Sequence, residues 1–565
     1  MNTFISLTQE ARCEAMPEML EIIKKIETVA ASVEVVWSDS FARKDALAQG
    51  RAFACLGEFN SLILEKIDAA TAYYLHFIDS QLDGKSEASF EETANNVSLG
   101  LWGSFADMRP QRKSVQFERM GMSMDIPKQI LQQETRFVHR VVKIPIDTHS
   151  LGAYAPALPS SSPSKLLVLS DLMYVDILIP PPLPFRLRAK KWLIRDNSDA
   201  AQSLRKSSYP SSVPSKCFIK VPPNLIMSDD VTVKLWNPEA RDWTDEAITD
   251  FQYSESTRLV QFLMATVGTI AFVRSRTVDF PYRSWTLDAQ RSSDSRDGAF
   301  FEQQARFTVH TPRFEVVIDI KGTGCSLARA FNKAVVGLVD VTMTPGLLFS
   351  KLQKCGVNLL PIEDDLASIE GSSPKVRVRL YSKSRALFSV SLTRPLPPPT
   401  HPLALAQNAA LEQDVMRELA KCASCLDFRS SDSWNRDLDE AQIGLLLRES
   451  TAYTALGEAF DYECVLAEQD QASETFRNAP DAGLITGVGN SAAKYTLVFG
   501  NEYGLRKGGF DRKPRPGEVS HIELAAAASA RCTTEARDRI KRCNSLFREN
   551  VFKLLALVRP LTFSA

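Results

Sequence analysis

The sequence predicts a multidomain α+β protein: an N-terminal helical hairpin, two consecutive antiparallel β-sandwich-like modules, then mixed α/β C-terminal modules. Three observations lead to this fold class. The chain has 565 residues, more than one hydrophobic core usually supports. Apolar residues recur at helical spacing near the N-terminus, and short alternating β-prone segments follow. We place the modules at residues 1–85, 86–200, 216–321, 322–394 and 401–565.

The composition is that of a folded protein without a strong charge bias. Hydrophobic residues make up 44% of the chain, and 67 Lys and Arg residues nearly balance 68 Asp and Glu residues. The net charge is therefore close to zero, and its electrostatic field does not favour nucleic acid or membrane as a partner. Ten cysteines lack a regular spacing, and the N-terminus has no basic region followed by an apolar core. These features predict reduced thiols in a cytosolic compartment.

Two apolar stripes predict the N-terminal helices. The first stripe contains Met19, Ile22, Ile23, Ile26 and Val29. The second contains Leu56, Phe59, Ile63, Ile67, Ala70, Tyr74 and Phe77. Spacings of three and four residues place each set on one helical face, so we expect an antiparallel helix pair packed on a neighbouring element. A partner-binding coiled coil is the alternative, although the seam is short for one.

Short alternating segments predict both β modules. The first module contains "VSLGLWGSF", "RFVHRVVKIPID" and "KLLVLSDLMYVDILIP", and the second contains seven strand candidates at regular spacing. Five of the seven tryptophans lie in this part of the chain: Trp102, Trp192, Trp236, Trp243 and Trp285. Large aromatic rings commonly fill the space between two sheets. We therefore predict that Trp285, in the segment "RTVDFPYRSWTLDAQ", packs in a core.

Helices and strands mix in the remaining modules. "SLARAFNKAVVGLVDV", "PGLLFSKLQKCGV", "LALAQNAALEQDVMRELAKCA" and "EAQIGLLLRES" have helical patterns, and "KVRVRLYSKSRALFSVSLTR" predicts a hairpin. "PLPPPTHP" predicts a stiff spacer, and strands are expected near "DYECVLAE" and "KYTLVFGNE". A final amphipathic helix is predicted from Ile540, Cys543, Phe547, Val551, Leu554 and Val558.

The candidate reactive motifs are weak. In "IKGTGCSLARAF", Gly322 and Gly324 suggest a dinucleotide-binding turn, but Leu327 occupies the place of the third small residue. "GLITGVGNSAAK" lacks the Gly-Lys-Ser/Thr of a phosphate loop. Cys422 and Cys425 have metal-like spacing without a second pair, which favours small apolar residues on one helix face.

These motifs predict a protein that is not an enzyme, with no catalytic residues, no cofactor and no metal site. The six histidines are dispersed along the chain, and no pair of acids is obviously placed for acid–base catalysis. A hydrolase or nucleotide-binding enzyme is the least favoured alternative.

One basic loop is a candidate partner-binding site. The segment "LRKGGFDRKPRPGE" carries five cations: Arg506, Lys507, Arg512, Lys513 and Arg515. Its glycines and prolines disfavour a helix or a central strand, so the charges should project from the surface. An ordinary solvated loop is one interpretation, and docking onto an acidic partner is the other.

Four segments resemble a known family. "VSLGLWGSFADMRPQRKSVQFERMGMSMDIPK" and "DWTDEAITDFQYSESTRLVQFLMATVGTIAFVRSRTVDFPYRSWTL" are similar to blocks of the axonemal dynein intermediate chain seven family, also known as a cancer susceptibility candidate family. "LLFSKLQKCGVNLLPIEDD" and "VFKLLALVRPLTFS" follow in the family's order. The residues that carry the resemblance include Trp102, Trp243, Pro281, Tyr282 and Trp285, which it implies are packing positions.

The resemblance implies a non-catalytic structural subunit of an axonemal inner dynein arm. Such a subunit would anchor or regulate the arm on the doublet microtubule of a cilium or flagellum. Its implied partners are the dynein intermediate, light and heavy chains of the arm and tubulin, whose acidic surface would suit the basic loop. The implied localisation is the axoneme, together with the cytoplasm. A cytoplasmic assembly or delivery factor for axonemal dynein is the alternative function.

Overall fold

The architecture comes from a computed structural model of the chain. The structure describes residues 2–11, 16–43, 45–78, 82, 87–105, 114–126, 136–145, 165–179, 185–187, 193–195, 205–206, 214–290, 303–362, 365, 369, 413, 416–431, 445–449, 461–464, 534–560 and 563. The chain divides into two compact units. Unit 1 contains Met1–Trp37, Asp45–Ser275 and Lys354–Gly356, and unit 2 contains Ser38–Lys44, Arg276–Gln353 and Val357–Ala565.

Three helices open the chain, and the two apolar stripes predict the second and the third of them. They are α1 (Asn2–Glu10), α2 (Met16–Arg43) and α3 (Ala46–His76). The carboxylate of Asp45 caps α3 by accepting a hydrogen bond from the Ala48 amide at 3.0 Å. The buried Lys66 ammonium donates to the carbonyls of Gln9 and Ala11 at 2.9 and 2.8 Å. This lysine of α3 thereby satisfies carbonyl groups at the end of α1.

The described strands of unit 1 pair antiparallel throughout. They are β1 (Glu87–Ala94), β2 (Val97–Ser104), β3 (Ser114–Phe117), β4 (Met122–Asp125), β5 (Phe137–Ile144), β6 (Leu166–Ile179), β7 (Phe185–Leu187), β8 (Leu193–Arg195), β9 (Arg205–Lys206), β10 (Ser215–Lys220), β11 (Thr232–Asn237), β12 (Asp242–Thr244), β13 (Ile248–Ser254), β14 (Leu259–Met264) and β15 (Thr269–Ser275). An eight-stranded sheet has the order β1-β2-β5-β6-β15-β11-β12, with β9 beside β6. A five-stranded sheet has the order β13-β14-β10-β4-β3, and β7 pairs with β8.

The α+β class with consecutive antiparallel sheets is confirmed, but the strands are distributed differently from the predicted modules. The strands of residues 216–321 are divided among three sheets, because β10, β13 and β14 join β3 and β4, whereas β11, β12 and β15 join the larger sheet. One core contains side chains of both sheets, including Phe117, Phe262 and Phe272. The regular spacing of strand candidates along the sequence indicates where strands lie. It does not indicate which strands pair, since pairing depends on distant parts of the chain.

The larger sheet of unit 1 is apolar on both faces. Along β6 and β15, Leu169 and Phe272 belong to the core between the sheets, while Leu172 and Val273 belong to a second cluster. Alternate residues of a strand point to opposite faces, so the two clusters lie on opposite sides. On β6, Tyr174 packs against the second cluster, and its hydroxyl accepts a hydrogen bond from Asn60 of α3 at 3.2 Å. Helix α3 therefore contacts the sheet through this face.

Unit 2 is built on a seven-stranded antiparallel sheet. Its strands are β16 (Ser284–Gln290), β17 (Gln304–His310), β18 (Glu315–Lys321), β19 (Gly324–Leu327), β20 (Leu426–Ser431), β21 (Leu445–Glu449) and β22 (Asp461–Cys464). Their order is β19-β18-β17-β16-β20-β21-β22. The helices that follow β19 are a 3-10 helix (Lys333–Leu338), α4 (Pro345–Lys354), α5 (Thr534–Arg542) and α6 (Ser545–Val558). Residues 416–422 are also helical.

Two predicted helices are wrong. "SLARAFNKAVVGLVDV" begins in β19, which pairs with β18 as a hairpin, and continues into the 3-10 helix. "EAQIGLLLRES" contains β21, which lies between β20 and β22. In both cases, pairing within the sheet overrides a local helical preference.

The predicted final helix is two helices. Helix α5 ends at Arg542, and α6 begins at Ser545. The Asn544 side chain caps α6 by accepting a hydrogen bond from the Leu546 amide at 2.9 Å. The strand expected near "DYECVLAE" is β22. The predicted elements in "KVRVRLYSKSRALFSVSLTR", "PLPPPTHP" and "KYTLVFGNE" lie outside the described residues. Among the residues that are described, no helix has both the length and the apolar character to cross a bilayer.

Candidate functional site

Trp102 and Trp243 occupy different apolar clusters of unit 1. Each is 3% exposed. The Trp102 ring belongs to the core between the two sheets, with its centroid 6.0 Å from that of Phe137. Trp243 belongs to the cluster on the opposite face of the larger sheet, and its ring meets Trp236 edge-on at 5.3 Å. The structure thus places both tryptophans in packed interiors.

Trp285 lies in the core of unit 2. Its side chain is 0% exposed on β16, and its ring centroid is 6.3 Å from that of Phe307 on β17. The indole Nε1 is buried and has no hydrogen-bond partner within the described part of the chain. A ring in this position contributes through packing, since no solvent or ligand can reach it.

Tyr282 forms two hydrogen bonds to the C-terminal segment of unit 2. It follows Pro281, whose peptide bond with Phe280 is cis. The Tyr282 amide donates to the Phe563 carbonyl at 2.7 Å, and its hydroxyl donates to the Val558 carbonyl at 3.1 Å. The Phe280 and Phe563 rings lie 5.3 Å apart. The segment "PYRSW" therefore contacts the segment "VFKLLALVRPLTFS", which also carries the family resemblance.

A buried ionic network connects two of the segments that resemble the family. Asp279 is 1% exposed and accepts hydrogen bonds from Arg313 Nε and Nη2 at 2.9 and 3.1 Å and from the Asn358 amide at 2.7 Å. Asn358 Nδ2 donates to the Arg276 carbonyl at 2.7 Å, and Arg276 Nε donates to Asp365 at 3.2 Å. We call these five residues the Asp279 network. They connect "RTVD" to "GVNLLPIEDD", and their mutual pairing offsets the cost of burying charges.

Three buried cysteines are poor nucleophiles. Burial raises the pKa of Cys217 to about 12 and also raises the pKa of Cys325 and Cys543. A thiol with a raised pKa stays protonated at neutral pH, and the thiolate is the reactive form. Cys422 and Cys425 are buried, and Cys425 Sγ donates to the Cys422 carbonyl at 3.6 Å. Within the described ranges, no group of three or more His, Cys, Asp or Glu side chains is placed to hold a metal ion.

The two glycine motifs have different outcomes. Gly322 lies in the turn of the β18–β19 hairpin and Gly324 begins β19, so a strand follows the turn in place of the helix that would receive a phosphate. Gly324 has φ of +148°, and a Cβ atom there would lie 2.5 Å from the Met343 carbonyl oxygen. This glycine is required by a close backbone approach. The motif "GLITGVGNSAAK" lies outside the described residues.

A groove of about 470 Å³ opens on unit 2. It is lined by Arg43, Gln413, Arg417, Ala420, Lys421, Ser545, Arg548, Glu549 and Phe552, and we call it the basic groove. The Arg417 guanidinium lies 5.0 Å from the centroid of the Phe552 ring. Sequence reasoning missed this groove because its cations come from three distant segments. The only local signal is the four-residue spacing of Arg417 and Lys421, which places them on one helical face.

The predicted partner-binding loop is not among the described residues. Its cations, Arg506, Lys507, Arg512, Lys513 and Arg515, remain a sequence-based prediction.

Comparisons with known proteins support the resemblance seen in the sequence. Residues 1–111 match the family described as Cancer susceptibility candidate 1 N-terminus. The chain is 26% identical to human "Dynein axonemal intermediate chain 7" over 241 residues, which cover 40% of this chain and 32% of the relative. The same-named protein of Macaca fascicularis is 25% identical over 40% of this chain and 31% of its own length. That of Danio rerio is 23% identical over 32% of this chain and 23% of its own length.

The chain thus spans about a third or less of the length of the curated relatives that it matches. The similarity recurs in five such proteins. The chain is therefore similar, over part of its length, to proteins named dynein axonemal intermediate chain 7.

Proposed function

We propose that this chain is a non-catalytic structural subunit of an axonemal inner dynein arm, where it anchors or regulates the arm on the doublet microtubule. Its dynein partners would be intermediate, light and heavy chains, and its site would be the axoneme. The names of the relatives support an axonemal dynein role. The observation that carries the structural part of the proposal is the Asp279 network, together with the Tyr282 contacts.

Segments that resemble the family contact one another in the interior of unit 2. Asp279 is 1% exposed and Tyr282 is 0% exposed, so these side chains hold the chain together and cannot bind a substrate. Networks of paired buried polar groups rigidify a fold and help to specify one arrangement. A rigid body that presents surfaces to neighbours suits a subunit of a large assembly. The basic loop around Arg512 would supply one such surface, towards the acidic surface of tubulin.

Fractionation of axonemes tests the proposal. An epitope-tagged copy would be expressed in ciliated cells, and isolated axonemes would be washed with detergent and then extracted with high salt. We expect the tagged chain to stay with the washed axonemes, to appear in the salt extract and to co-sediment with inner-arm heavy chains on a sucrose gradient. Outer-arm heavy chains provide an internal control because they sediment separately. A chain found only in the cell body would instead support the assembly-factor alternative.

A further inference from the structure

Helix α2 contacts the β1–β2 hairpin through a buried carboxyl group. Glu27 is 8% exposed, and its Oε1 atom accepts a hydrogen bond from the Asn96 amide at 3.2 Å. Asn95 and Asn96 form the two-residue turn of the hairpin, between the paired residues Ala94 and Val97. Asn95 has φ of +52°, a left-handed conformation that asparagine tolerates in hairpin turns. Glu27 thus joins the helix to the tip of the hairpin.

The second oxygen of this carboxyl group is buried without a partner. No residue in the described ranges donates a hydrogen bond to Glu27 Oε2. A neutral carboxyl group tolerates such a position better than a carboxylate does, because burial penalises the charged form most. Burial accordingly raises the pKa of Glu27 above its ordinary value of 4.5, against the opposing effect of hydrogen bonds from Asn96 and Asn95.

The charged groups around Glu27 do not compensate for its burial. Besides burial, repulsion by Asp171 on β6 raises the pKa of Glu27. Asp171 pairs with Lys143 of β5 at 3.0 Å, so this lysine is already engaged. Lys24, one turn before Glu27 on α2, pairs with Glu21 at 3.1 Å. Within the described part of the chain, neither lysine forms an ion pair with Glu27.

This environment distinguishes Glu27 from other buried carboxylates. Asp279 is 1% exposed and pairs with Arg313 at 2.9 Å, and Asp365 is 4% exposed and pairs with Arg276 at 3.2 Å. In those pairs the attraction between two charges offsets the cost of burying them. The hydrogen-bond donors of Glu27 are neutral amides, so the charge state of Glu27 itself decides how well the carboxyl group is accommodated.

The hairpin lies where its turn can move without unfolding the sheet. Strand β1 is at the edge of the larger sheet, with β2 as its neighbour. Away from the turn, the Phe90 ring lies 5.6 Å from the Tyr74 ring of α3, and Arg119 pairs with Glu92 at 3.1 Å. These contacts hold the middle of β1. Loss of the Glu27 contact would therefore release the turn and leave the rest of the hairpin in place.

We propose that Glu27 is a pH-sensitive contact, which holds the turn of the β1–β2 hairpin to α2 while its carboxyl group is neutral and weakens as that group ionises. Because the folded chain binds this proton more tightly than the unfolded chain does, the stabilising contribution is fully present below about pH 4.5. It is lost as the pH rises through the pKa of the folded state. This contact does not depend on whether the chain resides in a dynein arm.

Hydrogen exchange monitored by mass spectrometry tests the proposal on the full-length protein. Protection of the amides of residues 94–98, corrected for the intrinsic exchange rate at each pH, would be measured between about pH 5 and pH 8. We expect the protection of the wild type to fall severalfold over this range, since an ionised buried group with an unpaired oxygen is costly. Glu27→Gln should keep nearly level protection, because the amide oxygen can still accept from Asn96 and carries no charge.

Two further variants separate the charge of Glu27 from general effects. Glu21→Gln makes the same chemical change on the same helix, at a side chain that is 64% exposed, and its protection should follow the wild-type profile. Asp171→Asn removes the repelling charge, so the fall in protection should move to lower pH.

Three results would overturn the proposal. The first is the same pH profile for the wild type and for Glu27→Gln, which would make Glu27 a fixed contact. The second is an unmoved profile for Asp171→Asn. The third is an increase in protection on addition of Ca²⁺ to the wild type that Glu27→Gln abolishes, which would assign Glu27 and Asp171 to a cation site.

Discussion

Buried polar side chains explain much of how single residues stabilise this protein. Arg140 on β5 is 1% exposed, and its guanidinium pairs with Asp176 at 2.6 Å and with Asp68 of α3 at 2.5 Å. In unit 2, the Asp279 carboxylate is likewise paired, with the Arg313 guanidinium and the Asn358 amide. The burial of Trp102, Trp243 and Trp285 can be predicted from the sequence, because a large aromatic ring gains most by leaving water. It does not predict buried charges, whose partners lie tens of residues away.

Removal of the Asp279 carboxylate should destabilise unit 2 strongly. Asp279→Ala leaves the Arg313 guanidinium and the Asn358 amide without their acceptor, so we expect a loss of about 3–5 kcal/mol in the free energy of unfolding. Urea titration monitored by tryptophan fluorescence would measure it. Asp538→Ala, at an exposed site on α5, should change stability by less than about 0.5 kcal/mol. Similar values for the two variants would refute the role of the network.

His139 should make stability depend on pH. Burial lowers its pKa from the ordinary value of 6.5 to about 4, and its ring lies between Trp102 and Phe137 with centroids 6.3 and 5.7 Å away. The unfolded chain therefore binds a proton at a higher pH than the folded chain does. Stability contributed by the neutral ring is fully present above about pH 6.5 and is lost progressively down to about pH 4, by about 3 kcal/mol.

The His139→Leu variant isolates this effect. Chemical denaturation at a series of pH values should show a smaller decline between pH 6.5 and pH 4 for the variant than for the wild type. At pH 8 the wild-type ring is neutral in both states, so the difference measured there reports packing together with the cost of burying the two ring nitrogens, which have no hydrogen-bond partner among the described residues. Parallel pH profiles for the two proteins would show that His139 does not control acid sensitivity.

Secondary-structure elements follow from the sequence most reliably where the pattern repeats. The stripes of α2 and α3 and the alternation of β14 to β18 are local signals, and the structure contains these elements. The failures at β19 and β21 have a common physical cause. Both strands are short and are held by hydrogen bonds to neighbours in the sheet, so their own residues carry little information about conformation.

The β18–β19 hairpin gives a sharp test of local backbone requirements. Gly324→Ala introduces a side chain at φ of +148° and within 2.5 Å of the Met343 carbonyl oxygen, so we expect a loss of at least about 1–3 kcal/mol. Gly337→Ala is the matched control, because a Cβ atom there has no neighbour within 4 Å. Thermal unfolding should show a clear decrease in Tm for the first variant and almost none for the second. Equal shifts would contradict the close approach at Gly324.

The basic loop should act through charge alone. Reversal of Arg512, Lys513 and Arg515 to Glu is expected to weaken co-sedimentation with microtubules while leaving the Tm nearly unchanged. Wild-type binding should also weaken steeply with salt, since exposed charges are screened over about 10 Å at 0.1 M. Sedimentation that is insensitive to both the reversal and the salt concentration would identify an ordinary solvated loop.

At the scale of the whole molecule, each unit is assembled from separate parts of the chain. Unit 1 includes the distant residues Lys354–Gly356. Arg274, whose side chain is 1% exposed, pairs with Asp230 at 2.9 Å and donates to the Gly356 carbonyl at 2.6 Å. The Ile226 amide donates to the Cys355 carbonyl at 2.9 Å. The sequence does not predict this return of the chain, because the hydrogen-bond acceptors are backbone carbonyls, which leave no signal in the pattern of side chains.

A fragment that ends at Ser275 should therefore be incomplete. It lacks the carbonyl acceptors of Cys355 and Gly356, and a buried group left without its partner typically costs about 1–3 kcal/mol. A synthetic peptide covering residues 350–360 should raise the Tm of fragment 1–275, whereas a peptide of the same composition in scrambled order should not. Equal effects of the two peptides would show that the return segment is dispensable.

The return of residues 354–356 to unit 1 also delays the completion of unit 1 during synthesis on the ribosome. A ribosome adds roughly 5–20 residues per second, so about 4–16 s pass between synthesis of Ser275 and synthesis of Gly356. Throughout that interval Arg274 has Asp230 but not the Gly356 carbonyl, and the nascent chain is exposed to chaperones and proteases. Synonymous codon changes that slow translation between these two points should lower the yield of native protein without altering a single residue of it.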